Sequence, residues 1–358
     1  MQENDHKTGS MVRILWIALF MALCLVPSLG MLFGGETKPS ANEILARRPS
    51  VVERDGSFNR EVLNDVSDYI ADRFAFRKQL ITAWAHLNAS VFHSSSEEQI
   101  VLGSDGWLYF KPTLDDYMGN AMSDEDLDRA AAYLLSLQQE AESRGASFVF
   151  TVAPNKNSLY AEHMPSFIPE NHAASNAKRL ETYLKRYGVN YVDLFEVFSA
   201  QSETLYYRSD SHWTDRGAAL AADALLAEMD TPSDFFGGSF TEGEPHRGDL
   251  YDMLYPAGNG SEQSVRYMPS FSYTLTGDPD GGNALKIYSA CPGQSGTLLC
   301  WRDSFGISLY PYLAERFENA VFLRSSSYDP DEIDRIGANT VLLELVERNL
   351  PRLADAGK

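Results

Sequence analysis

The sequence predicts an α/β protein: a mostly parallel sheet flanked by helices, behind an N-terminal transmembrane helix. Three observations predict it. From about residue 100, short apolar runs alternate with helix-patterned segments. Those runs lack the in–out alternation of a half-exposed sheet, which is the pattern of strands covered on both faces. Residues 14–33, ILWIALFMALCLVPSLGMLF, carry no charge at all.

A helix of roughly twenty such residues spans about 30 Å, enough to cross a bilayer core once. Lys7 and Arg13 precede the run, but so do Glu3 and Asp5, and Arg47 and Arg48 follow it. The charge bias that sets orientation is therefore weak. Residues 1–33 are expected to be a signal-anchor or a cleaved signal peptide ending near PSLG, with length favouring the anchor. A terminal run apolar on every side suits lipid better than a protein core. Either reading puts the rest of the chain outside the cytoplasm, tethered to the cell membrane through residues 14–33 if the anchor is kept.

Residues 34–57 read as a polar linker. In 58–98, Val62, Val66, Ile70, Phe74, Leu80, Trp84, Leu87 and Val91 recur at helical spacing and predict two helices leading into the main domain, 99–358. There QIVLGSDGWLYF reads as strand, Asp105-Gly106 turn, strand. Ser123 caps a helix that ends at Gly145. ASFVFTVAP is a strand, and ASNAKRLETYLKRYG a helix closed by Gly188. VNYVDLF is a strand, and TDRGAALAADALLAEM a helix capped by Thr214. TLLCW and AVFLR are strands around a helical GISLYPYLAERF, in which Pro311 predicts a kink or restart. NTVLLELVERNLPRL runs from strand into helix.

Composition bounds the function. With 44% hydrophobic and 22% charged residues the chain is globular, and 50 acidic against 30 basic residues give a net charge of −20. Such a surface repels phosphate backbones and excludes nucleic acid as the main partner. No His or Cys cluster has metal-ligand spacing, so no metal is expected, and the serine chemistry developed below needs no cofactor. In YSACPGQSGTLLCW, Cys291 and Cys300 flank a Pro-Gly turn. Two readings stay open, a disulfide or two buried thiols.

Ligands of parallel sheets sit beyond the carboxyl ends of the strands, which says where to search for chemistry. Ser304 follows the strand TLLCW within three residues, just before a helix. A hydroxyl there meets helix-terminal N–H groups suited to an oxyanion, though serine is also a common helix cap. Asp210 and His212 lie two apart, and in extended chain their side chains share a side. The carboxylate can then fix one imidazole nitrogen while the other takes a proton from a serine. Glu170-His172 and Glu244-His246 have the same spacing but lie in proline-bearing loops, and His246 and Asp249 read as rivals of lower rank. Asn155 and Lys156, after the strand in VAPNKNSLY, and Arg324, after AVFLR, belong to the same edge as candidate oxyanion or substrate contacts.

Together SDSHWT, RDSFG and VAPNKNSLY, with DRFAFR, GSDGWLYF, GDLYDML and LELVERNL, resemble the alginate O-acetyltransferase AlgX/AlgJ-like (DHHW) family over roughly residues 58 to 352. The resemblance implies an SGNH-hydrolase-like domain with Ser304 as nucleophile, His212 as base and Asp210 as its orienting acid. Ser211 stands where the name motif has histidine, and Arg302 where simple GDS hydrolases have glycine. The resemblance further implies an acetyl-serine intermediate, a cell-surface polysaccharide as acceptor, and an acyl donor delivered by a membrane-bound O-acyltransferase. A polysaccharide acetyl-esterase and a non-catalytic glycan-binding subunit are the alternatives.

Overall fold

The computed structural model describes residues 2–32, 45–53, 55–119, 122–170, 175–277, 285–325 and 327–357. The chain forms two compact units: residues 1–97 with 252–259, and residues 98–251 with 260–358.

The first unit holds helices α1 (Gln2–Leu32), α2 (Val62–Arg73) and α3 (Arg77–Leu87). The two helices expected between 58 and 98 are α2 and α3. They are separated at Phe76, whose φ of 65° breaks the helical course. Helix α1 covers the apolar run but starts in a polar stretch, sharing its length with Glu3, Asp5, Lys7 and Arg13, and it contains Pro27. Among the described residues no helix is long and apolar enough to cross a membrane. This corrects the transmembrane helix expected from the sequence. Residues 34–44 and 54 of the linker expected at 34–57 lie outside the described residues, as does His172.

The second unit begins with a hairpin of β1 (Ile100–Leu102) and β2 (Leu108–Phe110), turned by Asp105 and Gly106, both at positive φ. In chain order there follow α4 (Leu114–Tyr117), α5 (Asp124–Ser143), β3 (Ser147–Ala153), α6 (Lys156–Leu159), α7 (Asn176–Tyr187), β4 (Tyr191–Val192), α8 (Leu194–Ser199) and α9 (Asp215–Glu228). Then come β5 (Phe240–Glu242), α10 (Asp249–Leu254), β6 (Val265–Tyr267), β7 (Thr274–Leu275), β8 (Lys286–Ala290) and β9 (Thr297–Arg302). The chain closes with α11 (Gly306–Ala314), β10 (Asn319–Arg324), α12 (Asp331–Ile336), β11 (Thr340–Val346) and α13 (Pro351–Ala356). Ser123 and Thr214 cap α5 and α9 through their side chains. The strand expected over VNYVDLF is only two residues long, because Asp193 accepts from the N–H groups of Phe195 and Glu196 and starts α8. Pro311 lies inside α11 without dividing it.

The main sheet has seven strands in the order β4-β3-β11-β9-β10-β8-β7. The first five run parallel, whereas at one edge β8 pairs antiparallel with β10 and β7 antiparallel with β8, so the sheet is mixed. Alternate residues of each central strand enter different cores. Leu298, Cys300, Phe322, Leu342 and Val346 pack with α8, α9 and α11 on one face. Leu299, Trp301, Val321, Leu343 and Leu345 pack with α5, α7 and α13 on the other. Both faces are apolar, which is why these strands read as unbroken hydrophobic runs.

Strand β10 lies between β8 and β9. Cys291, just past β8, and Cys300, within β9, are therefore about two strand spacings apart, roughly 9–10 Å, beyond disulfide reach. Both are buried free thiols.

Candidate active site

Strands β3, β11 and β9 are neighbours, so their carboxyl ends bring Asn155, Lys156, Glu347, Arg348 and Ser304 to one edge. The turn after β9 is tied down by Asp303. Its Oδ1 accepts from Phe305 N at 2.9 Å, and its Oδ2 from Val346 N at 2.7 Å and from Asn349 Nδ2 at 3.2 Å. The residue capping α11 is Phe305, with no side-chain cap, so the Ser304 hydroxyl is not used as one. Its Oγ faces His212 instead.

The histidine arrives on the loop between α8 and α9. An antiparallel bridge pairs Tyr206 with Trp213, closing residues 207–212 into a tight loop. Trp213 is buried, packs edge-on against Phe305 at 4.9 Å and donates from Nε1 to Ser308 Oγ at 2.8 Å. This docking onto α11 sets His212 Nε2 2.9 Å from Ser304 Oγ. On the other side of the ring, Nδ1 lies 2.7 Å from Asp210 Oδ1, which also accepts from His212 N at 2.9 Å.

Asp210 is 5% exposed, and its second oxygen is engaged as well. Oδ2 accepts from His246 Nε2 at 2.8 Å and from Asp249 N at 3.1 Å. Burial opposes the charge, but the hydrogen bonds from His212 and His246 outweigh it and hold the carboxyl well below the usual carboxylate range. An ionised Asp210 only accepts, so His212 Nδ1 carries the proton and neutral Nε2 is left to accept from Ser304. Burial pulls the His212 imidazole down, yet Asp210 prevails and raises it above 6.5. Burial, reinforced by the charge of Asp210, raises the carboxyl of Asp249.

Asp210, His212 and Asp249 offer three ligand atoms within 4.8 Å of one another, a grouping the sequence spacing does not reveal. The 2.7 Å separation of Nδ1 and Oδ1 is that of a direct hydrogen bond. Two ligands of one tetrahedral zinc, each about 2.0–2.1 Å from it, stand about 3.3 Å apart. Ser211, in the place of the name-motif histidine, donates to Asp249 from both N (2.8 Å) and Oγ (2.6 Å).

Lys156 is 4% exposed and does not face an open site. Its Nζ donates to the carbonyls of Tyr207 at 3.1 Å, Arg208 at 2.9 Å and Asp210 at 2.5 Å, with the rings of Trp107 and Tyr109 beside it. Burial pushes the ammonium down to about 7. The role expected of it as a substrate or oxyanion contact therefore gives way to a fastening of the loop that carries Asp210. The same loop is held by Glu262, whose carboxylate accepts from Arg208 N and Ser209 N, and by Gly248, where an added Cβ would meet Ser209 O at 2.1 Å.

Asn155 is 2% exposed; its N–H donates to Glu347 Oε2 at 2.9 Å, and its Oδ1 has no hydrogen-bond partner among the described residues. Arg324 ends β10 in register with Arg302 and is exposed; none of the described contacts brings its side chain to Ser304. Of the backbone donors after Ser304, Phe305 N is committed to Asp303, and Ile307 N to Ser304 O. His246, placed low by sequence for want of a strand before it, holds the second oxygen of Asp210 and stacks on Tyr207 at 3.8 Å. Asp303 and Phe305, adjacent to the serine in RDSFG, had no periodic signal to mark them.

A sheet with these crossovers, and a serine at its carboxyl edge facing a histidine from an earlier loop, defines an SGNH-hydrolase-like α/β protein. The family model described as "SGNH hydrolase-like domain, acetyltransferase AlgX" matches residues 100–282, and the chain belongs to that family. The matched stretch includes Asp210 and His212 and ends before Ser304. Among curated relatives, the probable alginate O-acetylase AlgJ of Pseudomonas fluorescens is 25% identical over 374 residues, covering 95% of this chain and 88% of its own. That of Pseudomonas syringae is 24% identical over 251 residues, covering 68% of this chain and 60% of its own; the chain thus spans less than two thirds of that relative. A DHHW family protein from Eubacterium siraeum superposes with a TM-score of 0.53 at 17% identity, covering 70% of this chain and 92% of that one, a likeness of fold.

Proposed function

We propose that the chain is an extracytoplasmic serine O-acyltransferase that moves an acetyl group onto a hydroxyl of a cell-surface polysaccharide. The observation that carries this reading is the continuous line from Asp210 through His212 to Ser304, at 2.7 and 2.9 Å. Ser304 Oγ attacks the acyl carbonyl as its proton passes to His212 Nε2, and the imidazolium then gives that proton to the departing group. This leaves acetyl-Ser304. A glycan hydroxyl next loses its proton to Nε2, attacks the same carbonyl and departs as the acetyl ester, while the proton returns to Ser304. Asp210 fixes the tautomer and balances the imidazolium without taking the proton itself.

The names of the relatives, alginate O-acetylases, support a polysaccharide acceptor. The acyl donor in this reading is supplied by a membrane-bound O-acyltransferase. Exposed Ile14, Leu15, Trp16, Ile17 and Phe20 on α1 support contact with a membrane surface. The test is turnover of an acetyl ester by the purified chain, with and without a glycan acceptor. The expected result is acetate gained by the glycan and lost with Ser304→Ala. Turnover unchanged in Ser304→Ala would sink the assignment, and acetate released only to water would make the enzyme an esterase.

A further inference from the structure

The chain carries a large excess of acid, yet one half-buried guanidinium at the site has no acid of its own. Arg348 follows β11 and lies over the rings of Phe110 at 5.6 Å and Phe305 at 5.7 Å. Among the described residues it has no ion pair and no hydrogen bond beyond these ring contacts. His212 packs on the same Phe305 ring at 4.8 Å, so imidazole and guanidinium flank the residue next to Ser304. The charge of Arg348 is felt at His212.

Three acids lie close enough to act on Arg348 through their charge, but none of them pairs with it: two are engaged elsewhere, and Glu344 is engaged through one oxygen while its Oε1 has no partner among the described residues. Asp303 binds Phe305 N, Val346 N and Asn349 Nδ2. Asp249 accepts from Ser211 N, Ser211 Oγ and Leu250 N. Glu344 accepts from Asp303 N at 3.1 Å. A partly desolvated cation without a contact ion costs stability, and proteins tolerate such costs mainly where they serve a ligand. The planar fork of a guanidinium, held flat by aromatic faces, matches a carboxylate through paired N–H donors.

We propose that Arg348 forms a carboxylate-binding subsite beside Ser304. The proposal rests on the acyl-transfer reading of Ser304 for its purpose, but not for its detection, since binding is measured without turnover. The carboxylate has two sources, an acidic sugar of the acceptor or the acetate left by the acyl group.

Calorimetric titration of the full chain carrying Ser304→Ala, at constant ionic strength, with sodium glucuronate, sodium acetate and neutral glucose tests it. One charge-assisted pair is expected to make glucuronate bind about tenfold or more tighter than glucose. Arg348→Gln is expected to abolish that preference and Arg348→Lys to keep part of it, each variant being checked for an unchanged melting transition. Arg348-dependent preference for glucuronate alone assigns the subsite to the acceptor; equal Arg348-dependent binding of acetate assigns it to the acyl product. Equal binding of all three probes, or a carboxylate preference that survives Arg348→Gln, overturns the subsite. Loss of turnover in Ser304→Ala bears on the acyl-transfer reading alone.

Discussion

Trp213 donates to Ser308 across 2.8 Å, and that bond fastens the histidine loop to the helix that follows the serine. The two residues belong to different elements, so the bond acts as an external brace on the His212–Ser304 distance. Trp213→Phe keeps a ring against Phe305 and removes the donor. It should cost about 1 kcal/mol in urea denaturation and lower kcat about three- to tenfold. Unchanged kcat with lowered stability would limit the brace to folding.

The pH dependence follows from His212. Its imidazole is raised above 6.5 by Asp210. Only the neutral ring accepts a proton, so kcat/KM should fall as pH drops through a value above 6.5, and hold above it. Asp210→Asn removes the main force opposing burial and leaves only the charge of Asp249 on that side, so the acid limb should move to lower pH while the rate falls about 10²–10⁴-fold. A limb that stays in place would show that it reports another group.

Lys156→Met deletes all three donors to the Tyr207–Asp210 carbonyls while retaining much of the apolar stem. The Arg208 carbonyl keeps its bond from Leu108 N, but the Tyr207 and Asp210 carbonyls lose their Lys156 donor, which should destabilise the fold by about 1–3 kcal/mol, seen as a lower urea midpoint, and reduce kcat more than KM. A pure rise in KM would instead restore the substrate contact expected from sequence.

Gly248→Ala forces a methyl group onto the Ser209 carbonyl, next to Asp210. Backbone cannot yield cheaply there, so about 1–3 kcal/mol of stability should be lost, together with most of the activity. Gly188→Ala, in the αL cap of α7 and away from the site, is the control: it should lose stability with activity at 25 °C retained.

Cys291 and Cys300 are buried free thiols. Dithiothreitol should leave the melting temperature unchanged, and both thiols should react with a colorimetric reagent only after denaturation. A drop in melting temperature on reduction would contradict the strand order.

Much of this was legible in the chain. Helices α5, α7 and α9 announced themselves through caps and period, and β9, β10 and β11 through unbroken apolar runs. Legibility failed where tertiary pairing decides. Nothing local says that β10 inserts between β8 and β9, so two cysteines around a Pro-Gly turn looked like partners. Nothing local says that β8 runs against its neighbour, or that Asp193 ends β4 after two residues. At the site, Asp210, His212 and Ser304 could be named because strand ends direct attention to an edge. Lys156 was placed at the right edge but not inward, since burial is a property of the surrounding fold. Arg348 was hidden within a strand-to-helix run, where its missing partner cannot be seen.

The strand order has a consequence for how the protein comes into being. Strand β9 takes both of its neighbours, β10 and β11, from chain made after it, so during synthesis one edge waits for residues 319–324 and the other for 340–346 to leave the ribosome. A nascent chain halted after Ser304 already holds Asp210, His212 and Ser304, yet lacks β10 and β11, the strands between which β9 lies. The gathering of the candidate site thus waits on residues 319–346, which carry β10 and β11.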